Sequence, residues 1–333
     1  MPDETGKPRF AMYWAAGCGG CEIATLNIHE KLLDFDANFE VVFWPVAVDA
    51  KYADVKAMPD GAIDLCLFNG AIRSNENAEM AHLLRRKSKI LVAFGACACE
   101  GGIPALGNLY TTQDLIDTAF STPSTDNPQD LRPITRYAAP EGELSLPILS
   151  ASVKTLDQVV DVDYYMPGCP PESGQIAAVV ALAIQAFHGE AALPPKGSVI
   201  GAGTSTVCDE CKRARAEKTI HVFRRMATYQ PNLVDCLFEQ GLLCAGEATR
   251  SGCGALCPSA NMPCTGCYGP ALADSEQGAR MISGISSVVA GKTHTEIALV
   301  LDGIVDPVGT FYRYSLASSI LRRARPHTDG REE

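Results

Sequence analysis

The segment Arg9-Phe-Ala-Met-Tyr-Trp-Ala-Ala-Gly-Cys18-Gly-Gly-Cys21 joins a short apolar run to a glycine-rich Cys-x-x-Cys pair. The apolar run predicts a strand over residues 9–16, and apolar side chains at helical spacing predict a helix over 21–33. Strands alternating with helices indicate βαβ units, a parallel sheet and a flavodoxin-like, doubly wound α/β fold. The further predicted strands are 39–48, 63–69, 89–94 and 162–166, and the further helices are 78–87 and 173–188.

Two features interrupt or divide this pattern. Residues 106–157 are rich in Thr, Ser, Pro and Asp, with one predicted helix at 112–120, and we expect either a disordered loop or a partner-binding face. The Ala-Ala-Leu-Pro-Pro-Lys stretch at 191–196 has the composition of a linker. We therefore predict a flavodoxin-like domain over 1–195 and a smaller domain over 196–333. The smaller domain is expected to be organised around metal sites, helical over 271–325, with a polar tail from 326.

The composition is that of a globular protein. Its 333 residues, 47% of them apolar, suffice for two domains, and the net charge of −11 disfavours a nucleic-acid partner. Residues 1–9 are polar with no secretory signal, and the longest apolar stretch, 176–187, is about half a membrane span. We expect a cytoplasmic protein, in which cysteines at fixed spacing indicate metal or redox chemistry rather than disulfides.

Twelve of the fourteen cysteines form three sets of four, and each set includes one Cys-x-x-Cys pair. A 4Fe–4S cluster takes four thiolates, so the pattern predicts three clusters in a chain that carries electrons. Structural zinc is the alternative, since paired Cys-x-x-Cys motifs also bind zinc. The first quartet is Cys18, Cys21, Cys97 and Cys169; the second is Cys208, Cys211, Cys236 and Cys244; the third is Cys253, Cys257, Cys264 and Cys267.

The first quartet comes from three separate strand ends. Its members follow the first, fourth and fifth predicted strands, whose carboxyl ends form the edge where open α/β sheets bind ligands. Neighbouring glycines would let the backbone approach a cluster closely. Two alternatives are a phosphate loop, although no Gly-Lys-Ser/Thr follows, and thioredoxin-like redox chemistry of Cys18 and Cys21. Cys66, inside an apolar run, is expected in the core, while Cys99 competes with Cys97 as a ligand.

These motifs resemble those of NiFe hydrogenase small subunits over nearly the whole chain. The resemblance is carried by the first Cys-x-x-Cys, by Gly-Ala-Cys-Ala-Cys-Glu-Gly-Gly-Ile-Pro at 95–104 and by Pro-Gly-Cys-Pro-Pro at 167–171. In that family the cysteine of Gly-x-Cys-x-x-x-Gly-Gly is a proximal-cluster ligand, which implies Cys97 rather than Cys99. The resemblance also implies a distal cluster at the second quartet, a medial cluster at the third, and no catalytic residue in this chain.

Departures from the periplasmic, uptake-type members indicate a subgroup. Cys208 stands where those members have a histidine, and a cysteine replaces the proline that leaves their medial cluster with three cysteines. With Asn-Met-Pro-Cys-Thr-Gly-Cys-Tyr-Gly-Pro at 261–270, this resembles the cytoplasmic methyl-viologen-reducing group. Glu22 directly follows Cys21, whereas those members carry a glutamate two residues after the pair.

The resemblance implies three partners. These are a large subunit that splits hydrogen at a NiFe centre, a delta-type 2Fe–2S electron-transfer subunit, and heterodisulfide reductase. The alternatives are the small subunit of another soluble NiFe hydrogenase with a different acceptor, a quinone-reductase-type subunit, and a zinc-stabilised scaffold without catalytic function.

Overall fold

The structure is a computed structural model that describes residues 6–216, 218–271 and 276–321. Strands and helices alternate through its first half, and helices dominate its last part. The strands are β1 (Arg9–Trp14), β2 (Glu40–Phe43), β3 (Ile63–Asn69), β4 (Ile72–Ser74), β5 (Ser88–Phe94), β6 (Arg136–Ala139), β7 (Gly142–Ser145), β8 (Leu149–Lys154) and β9 (Tyr164–Met166). The helices are α1 (Gly20–Leu26), α2 (Lys31–Asn38), α3 (Tyr52–Ala57), α4 (Asn75–Lys87), α5 (Ala96–Glu100), α6 (Thr112–Ser121), α7 (Ser173–Phe187), α8 (Val207–Glu210), α9 (Leu256–Ser259), α10 (Gln277–Val288), α11 (His294–Leu301) and α12 (Pro307–Phe311), with 3₁₀ turns at Ile103–Leu109 and Ala245–Ala248.

A five-stranded parallel sheet in the order β2-β1-β3-β5-β9 confirms the predicted α/β class. Alternate residues of β1 face opposite sides of this sheet, as the two-residue period of a strand requires. Phe10 and Met12 pack on the side covered by α1, α2 and α7. Ala11 and Tyr13 pack on the side covered by α3 and α4. Both faces are therefore buried, which a parallel sheet needs.

Two predicted elements differ from the structure. The single helix expected over 21–33 is wrong, because α1 ends at Leu26 and α2 begins at Lys31. His29 between them has a φ of 55°, a left-handed conformation that a continuous right-handed helix cannot contain. The strand expected over 39–48 ends at Phe43, since Pro45 follows and the Ala47 N–H closes a turn onto the Trp44 carbonyl at 2.8 Å.

The insertion at 106–157 has regular structure. Its predicted helix is confirmed as α6, β6 and β7 form an antiparallel hairpin, and β8 pairs with β4. Asn108 attaches the insertion's two ends to each other, because its side-chain amide donates to the Val153 carbonyl at 3.0 Å and accepts from the Val153 N–H at 2.7 Å. The expectation of a disordered loop is therefore wrong.

The C-terminal part shares a core with the first half. Ala71, Ala105 and Val153 pack in one cluster with residues such as Met281 and Phe311. Within the described residues, the last part contains α10, α11 and α12, as predicted, while the tail expected from 326 lies outside them. In the part of the chain that the structure describes, no helix has the length and apolar character needed to cross a membrane.

Candidate functional site

The carboxyl ends of three parallel strands carry the first quartet. Cys18 and Cys21 stand at the start of α1 after β1, Cys97 lies in α5 after β5, and Cys169 follows β9. Each of the six thiol pairs in this set is close enough for the two thiolate forms to repel each other. The structure thus brings together four cysteines that lie up to 151 positions apart, the difference between positions 18 and 169.

Two glycines allow this approach. Gly95 has a φ of 86° and a ψ of 160°, a region that essentially only glycine occupies, and a Cβ there would collide with the Cys21 sulfur. Gly102 has a φ of 57°, and a Cβ there would lie 2.5 Å from the Cys97 sulfur. Any side chain at either position would therefore displace a thiol of the first quartet.

Three thiols of the first quartet, those of Cys21, Cys97 and Cys169, have raised pKa values and so resist ionisation. Burial, followed by the charges of Cys169 and Cys18, raises the pKa of Cys97 to about 12. Burial and the neighbouring thiolates likewise raise the pKa of Cys21. One donor already reaches a sulfur of the set, since the Gly20 N–H lies 3.4 Å from the Cys18 sulfur. A bound cation would remove this mutual repulsion, and its binding would release protons.

The two cysteines outside the quartets lie in the core. Cys66 is fully buried in the sheet, as its apolar run predicts, and burial raises its pKa to about 12. Cys99 is also buried, and its thiol donates a hydrogen bond to the Ala93 carbonyl at 3.3 Å. Cys97 lies within electrostatic range of Cys18, Cys21 and Cys169, whereas Cys99 is in range of Cys21 and packs in the core behind Cys97.

Glu22 is a buried carboxyl beside the first quartet. Its carboxyl oxygens accept hydrogen bonds from the Trp44 indole N–H and, at 2.8 Å, from the Asn69 amide. Burial raises the pKa of Glu22, although both hydrogen bonds oppose that change. The sequence places Glu22 next to Cys21 but gives no sign of Trp44 and Asn69, which come from distant parts of the chain.

The second quartet lines one cavity. All four of its cysteines border a space of about 660 Å³. Burial, followed by the charge of Cys244, raises the pKa of Cys208 to about 12, and burial raises the pKa of Cys244 to about 11. Cys236 and Cys211 also lie within electrostatic range of Cys244. Four thiols around a space of this size suit a bulky group better than a single ion.

The third quartet comes from the segment 253–267. Burial raises the pKa of Cys267 to about 12, with contributions from Cys253 and Cys257. Burial also raises the pKa of Cys264, with a further contribution from Cys267. These four thiols therefore lie close together, as expected for cysteines within 15 consecutive residues.

The third quartet lies between the other two. On one side, the Cys169 N–H donates a hydrogen bond to the Cys267 sulfur. On the other side, the Cys264 N–H donates to the Cys244 sulfur at 3.3 Å. The order in space is therefore first, third, second, which differs from the order along the chain.

The donor chemistry of each set fits an iron–sulfur cluster. Among the described residues, no three histidine, cysteine or carboxylate side chains are arranged to hold a single metal ion. A cubane cluster takes one thiolate at each of its four irons, so its ligands surround it instead of converging on one point. Sets of four facing thiols, with glycines where a side chain would strike a sulfur, meet that requirement.

Comparison with known proteins adds the family. The profile of the family described as "NADH ubiquinone oxidoreductase, 20 Kd subunit" matches residues 18–183, which include the whole first quartet. Among solved structures, a chain of the recombinant NiFeSe hydrogenase from Desulfovibrio vulgaris Hildenborough is similar with a TM-score of 0.52 at 16% identity, over 80% of this chain and 95% of that one. At that identity the likeness concerns the fold alone.

Similarity in sequence extends over nearly the full length of two relatives. The F420-non-reducing hydrogenase iron-sulfur subunit of Archaeoglobus profundus is 39% identical over 322 residues, covering 95% of this chain and 98% of the relative. The corresponding subunit of the F420-non-reducing hydrogenase of Methanocaldococcus jannaschii is 37% identical, covering 95% of this chain and 97% of the relative. At this identity and coverage, the chain belongs to the family of F420-non-reducing hydrogenase iron–sulfur subunits, which are hydrogenase small subunits of oxidoreductase type.

Proposed function

We propose that this chain is the electron-transfer small subunit of a NiFe hydrogenase of the methyl-viologen-reducing group. In this proposal it holds three 4Fe–4S clusters and carries electrons from hydrogen oxidation in a large subunit to a delta-type 2Fe–2S subunit and heterodisulfide reductase. When bound, such clusters take up and release single electrons. Hydrogen is split in the large subunit, so no residue of this chain acts as a catalytic acid or base.

One observation carries the proposal: three sets of four facing thiols follow one another without a gap. Backbone N–H groups link each set to the next, from Cys169 to the Cys267 sulfur and from Cys264 to the Cys244 sulfur. A zinc-stabilised scaffold would need separate structural sites, but it would not need them in a continuous row. A row is what electron transfer over a distance requires.

The chain's own residues have defined tasks in this proposal. The first quartet is the proximal site, the third is the medial site and the second is the distal site. Backbone N–H groups that donate to ligand sulfurs would stabilise the more negative, reduced state of a bound group and so raise its potential. Gly95 and Gly102 keep room for the first group, since a Cβ at either would strike a sulfur.

The proposal also includes the type of fold, the division into domains and the location in the cell. The strand order β2-β1-β3-β5-β9 agrees with a flavodoxin-like sheet, in which ligands bind where the strand order reverses. The linker at 191–196 supports a division into a flavodoxin-like domain over 1–195 and a cluster-holding domain over 196–333. The unpaired cysteines suit the reducing conditions of the cytoplasm, where we place the protein.

Metal analysis of the complex, purified without oxygen, tests this proposal. Three clusters require about twelve irons in this subunit, with no stoichiometric zinc or nickel. Copurification of a large subunit with nickel in it is the second expected result. About four irons, with zinc making up the balance, would contradict the proposed row of clusters.

A substitution at the second quartet tests its distal place. Cys208→His should keep a group bound, because histidine can replace a thiolate ligand and generally raises the potential. Hydrogen–deuterium exchange at the large subunit should persist, while the rate of electron delivery to the acceptor changes. If the variant lost hydrogen–deuterium exchange but still delivered electrons normally from an artificial reductant to the acceptor, the second quartet would lie at the proximal end of the row instead of the distal end.

A further inference from the structure

Two charged side chains beside the Cys208–Cys211 pair reach the third quartet. The first is Glu210, whose carboxylate accepts hydrogen bonds from the Gly252 N–H at 2.8 Å and from the Gly254 N–H at 3.1 Å. These two glycines flank Cys253, a member of the third quartet. Glu210 therefore attaches the Cys-x-x-Cys segment of the second quartet to the loop that carries Cys253.

The second side chain is Arg213, which donates to residues next to cysteines of both quartets. Its Nη1 donates to the Asp235 carbonyl at 3.0 Å, and Asp235 directly precedes Cys236 of the second quartet. Its Nε donates to the Pro258 carbonyl at 3.0 Å, and Pro258 directly follows Cys257 of the third quartet. Because a guanidinium presents its donors in a rigid plane, this one side chain fixes the distance between the two segments.

Arg213 is a half-buried cation whose hydrogen bonds all go to uncharged oxygens. Besides the two carbonyls, it donates to the Asn232 carbonyl at 2.9 Å and to the Asn261 side-chain oxygen at 2.6 Å. The Asp235 carboxylate forms an ion pair with Lys218 instead, at 3.2 Å. Among the residues that the structure describes, no carboxylate forms an ion pair with Arg213. Its positive charge is therefore not neutralised by a direct partner.

This charge lies at the boundary of the two quartets. Arg213 and Pro258 border the same cavity as the four cysteines of the second quartet. A 4Fe–4S cluster gains one negative charge when it takes up an electron, and the net charge is one of the factors that set its potential. A nearby cation favours the more negative state, by an amount that falls with distance. Removal of the Arg213 charge should therefore disfavour reduction of a cluster held there.

We propose that Arg213 is a positioning residue for the transfer of electrons between the third and second quartets. It holds the two cysteine-bearing segments at a fixed distance, and its charge raises the reduction potential of the cluster at the second quartet. The inference rests on the proposed function, which places iron–sulfur clusters at both quartets. The step moves one electron from the cluster at the third quartet to that at the second, so that one is oxidised as the other is reduced, and it breaks no bond and moves no proton.

Two substitutions of Arg213 separate its charge from its hydrogen bonds. Arg213→Lys keeps the positive charge but lacks the planar fork that reaches four acceptors. Arg213→Met removes both the charge and the donors and leaves an unbranched side chain. The matched control is Lys212→Met, which removes the same charge from the adjacent, exposed side chain. The hydrogen bonds of Glu210 remain in all three variants, so we expect each variant to keep its iron.

The charge is tested by a redox titration of the hydrogenase complex, purified without oxygen and followed by electron paramagnetic resonance. In Arg213→Met the equilibrium constant for one-electron reduction at the second quartet should fall about tenfold, which is about 59 mV. Arg213→Lys should change this constant by less than about threefold, because the charge remains. Lys212→Met should do the same, because water and salt screen an exposed charge. Equal potentials in Arg213→Met and Lys212→Met would overturn the role of the charge.

The positioning is tested by the magnetic interaction between the two reduced clusters, which depends on their distance. This interaction should change in both Arg213 variants, since neither makes the four hydrogen bonds, and should stay native in Lys212→Met. An unchanged interaction in both Arg213 variants would overturn the positioning role. A merely structural role would lower the stability of both variants without shifting the potential in Arg213→Met alone.

Iron content separates this inference from the proposed function. A native complex without clusters at the second and third quartets contradicts the proposed function itself, whereas about twelve irons with an unshifted potential contradict only the role of Arg213. If Arg213→Met loses iron, Arg213→Gln replaces it, because its uncharged amide can still donate to one of the carbonyls. The same fall in the equilibrium constant is then expected, and a native potential would overturn the proposal.

Discussion

Replacing Gly95 with alanine separates a steric requirement of the first quartet from ordinary backbone strain. The new Cβ would collide with the Cys21 sulfur, and the backbone at Gly95 has a φ of 86° and a ψ of 160°. The strain of such a conformation costs a residue with a side chain about 1–3 kcal/mol. The collision adds a further free-energy cost, which only movement of the Cys21 thiol can relieve. The first quartet would then have one of its four ligands out of place.

Gly61 provides the matched control. Its φ is 72°, also left-handed, but a Cβ there would have no atom within 4 Å. Gly61→Ala should therefore lower the free energy of unfolding by about 1–2 kcal/mol and leave the iron content unchanged. Gly95→Ala should lower the iron content by about one third, one cluster in three.

The assay is iron and acid-labile sulfide per chain in complexes purified without oxygen, together with the free energy of unfolding in denaturant. Gly102→Ala should behave as Gly95→Ala does, because its Cβ would lie 2.5 Å from the Cys97 sulfur. Suppose that Gly95→Ala retained as much iron per chain as Gly61→Ala and had the same free energy of unfolding. The Cys21 sulfur would then not be held in place by a bound cluster, and the proposed steric role of Gly95 would be wrong.

Four further substitutions address single residues. Cys97→Ala should remove about one third of the iron while Cys99→Ala removes none, as metal analysis of the two would show, and the reverse result would exchange their roles. Cys66→Ala should keep all the iron and cost about 1–2 kcal/mol in denaturant unfolding as a small core deletion; a loss of iron would contradict its place outside the clusters. Although burial opposes ionisation, the salt bridge from Lys196 at 2.5 Å and other donors hold the pKa of Asp163 below its usual value. This ionised carboxylate stabilises the fold above the unfolded pKa of about 4, and the contribution is lost as pH falls through the lower folded pKa. Asp163→Asn should therefore cost about 2 kcal/mol at neutral pH and less in acid, and an equal cost at both pH values in denaturant unfolding would exclude this linkage.

Periodicity predicted the parts of the fold that depend on burial. The strands β3 and β5 each contain a continuous apolar run, at 65–68 and 90–94, and such runs are typical of parallel strands covered on both faces. The break between α1 and α2 escaped prediction because the apolar spacing continues across it. Only the left-handed backbone at His29, which has no distinct sequence signal, separates the two helices.

The insertion shows a different limit of sequence patterns. Its polar composition is typical of a loop, yet β8 pairs with β4 and a buried amide at Asn108 connects to Val153. Both contacts join residues more than 40 positions apart, and their energy comes from hydrogen bonds that composition does not reveal. The hairpin β6–β7 is almost wholly exposed, so it has no buried face to impose an alternating apolar pattern, and the sequence does not predict it.

Cysteine spacing groups the thiols but cannot order the groups. The segment after Cys244 runs beside the segment after Cys264, because the Ala245 N–H donates to the Cys264 carbonyl at 2.8 Å and the Arg250 N–H donates to the Gly269 carbonyl at 2.9 Å. These pairings place the third quartet against the second. The hydrogen bond from Cys169 to the Cys267 sulfur places it against the first. The third quartet is the last in the sequence, yet long-range backbone contacts place it between the other two. A substitution that broke these contacts would therefore separate the three quartets without removing any cysteine.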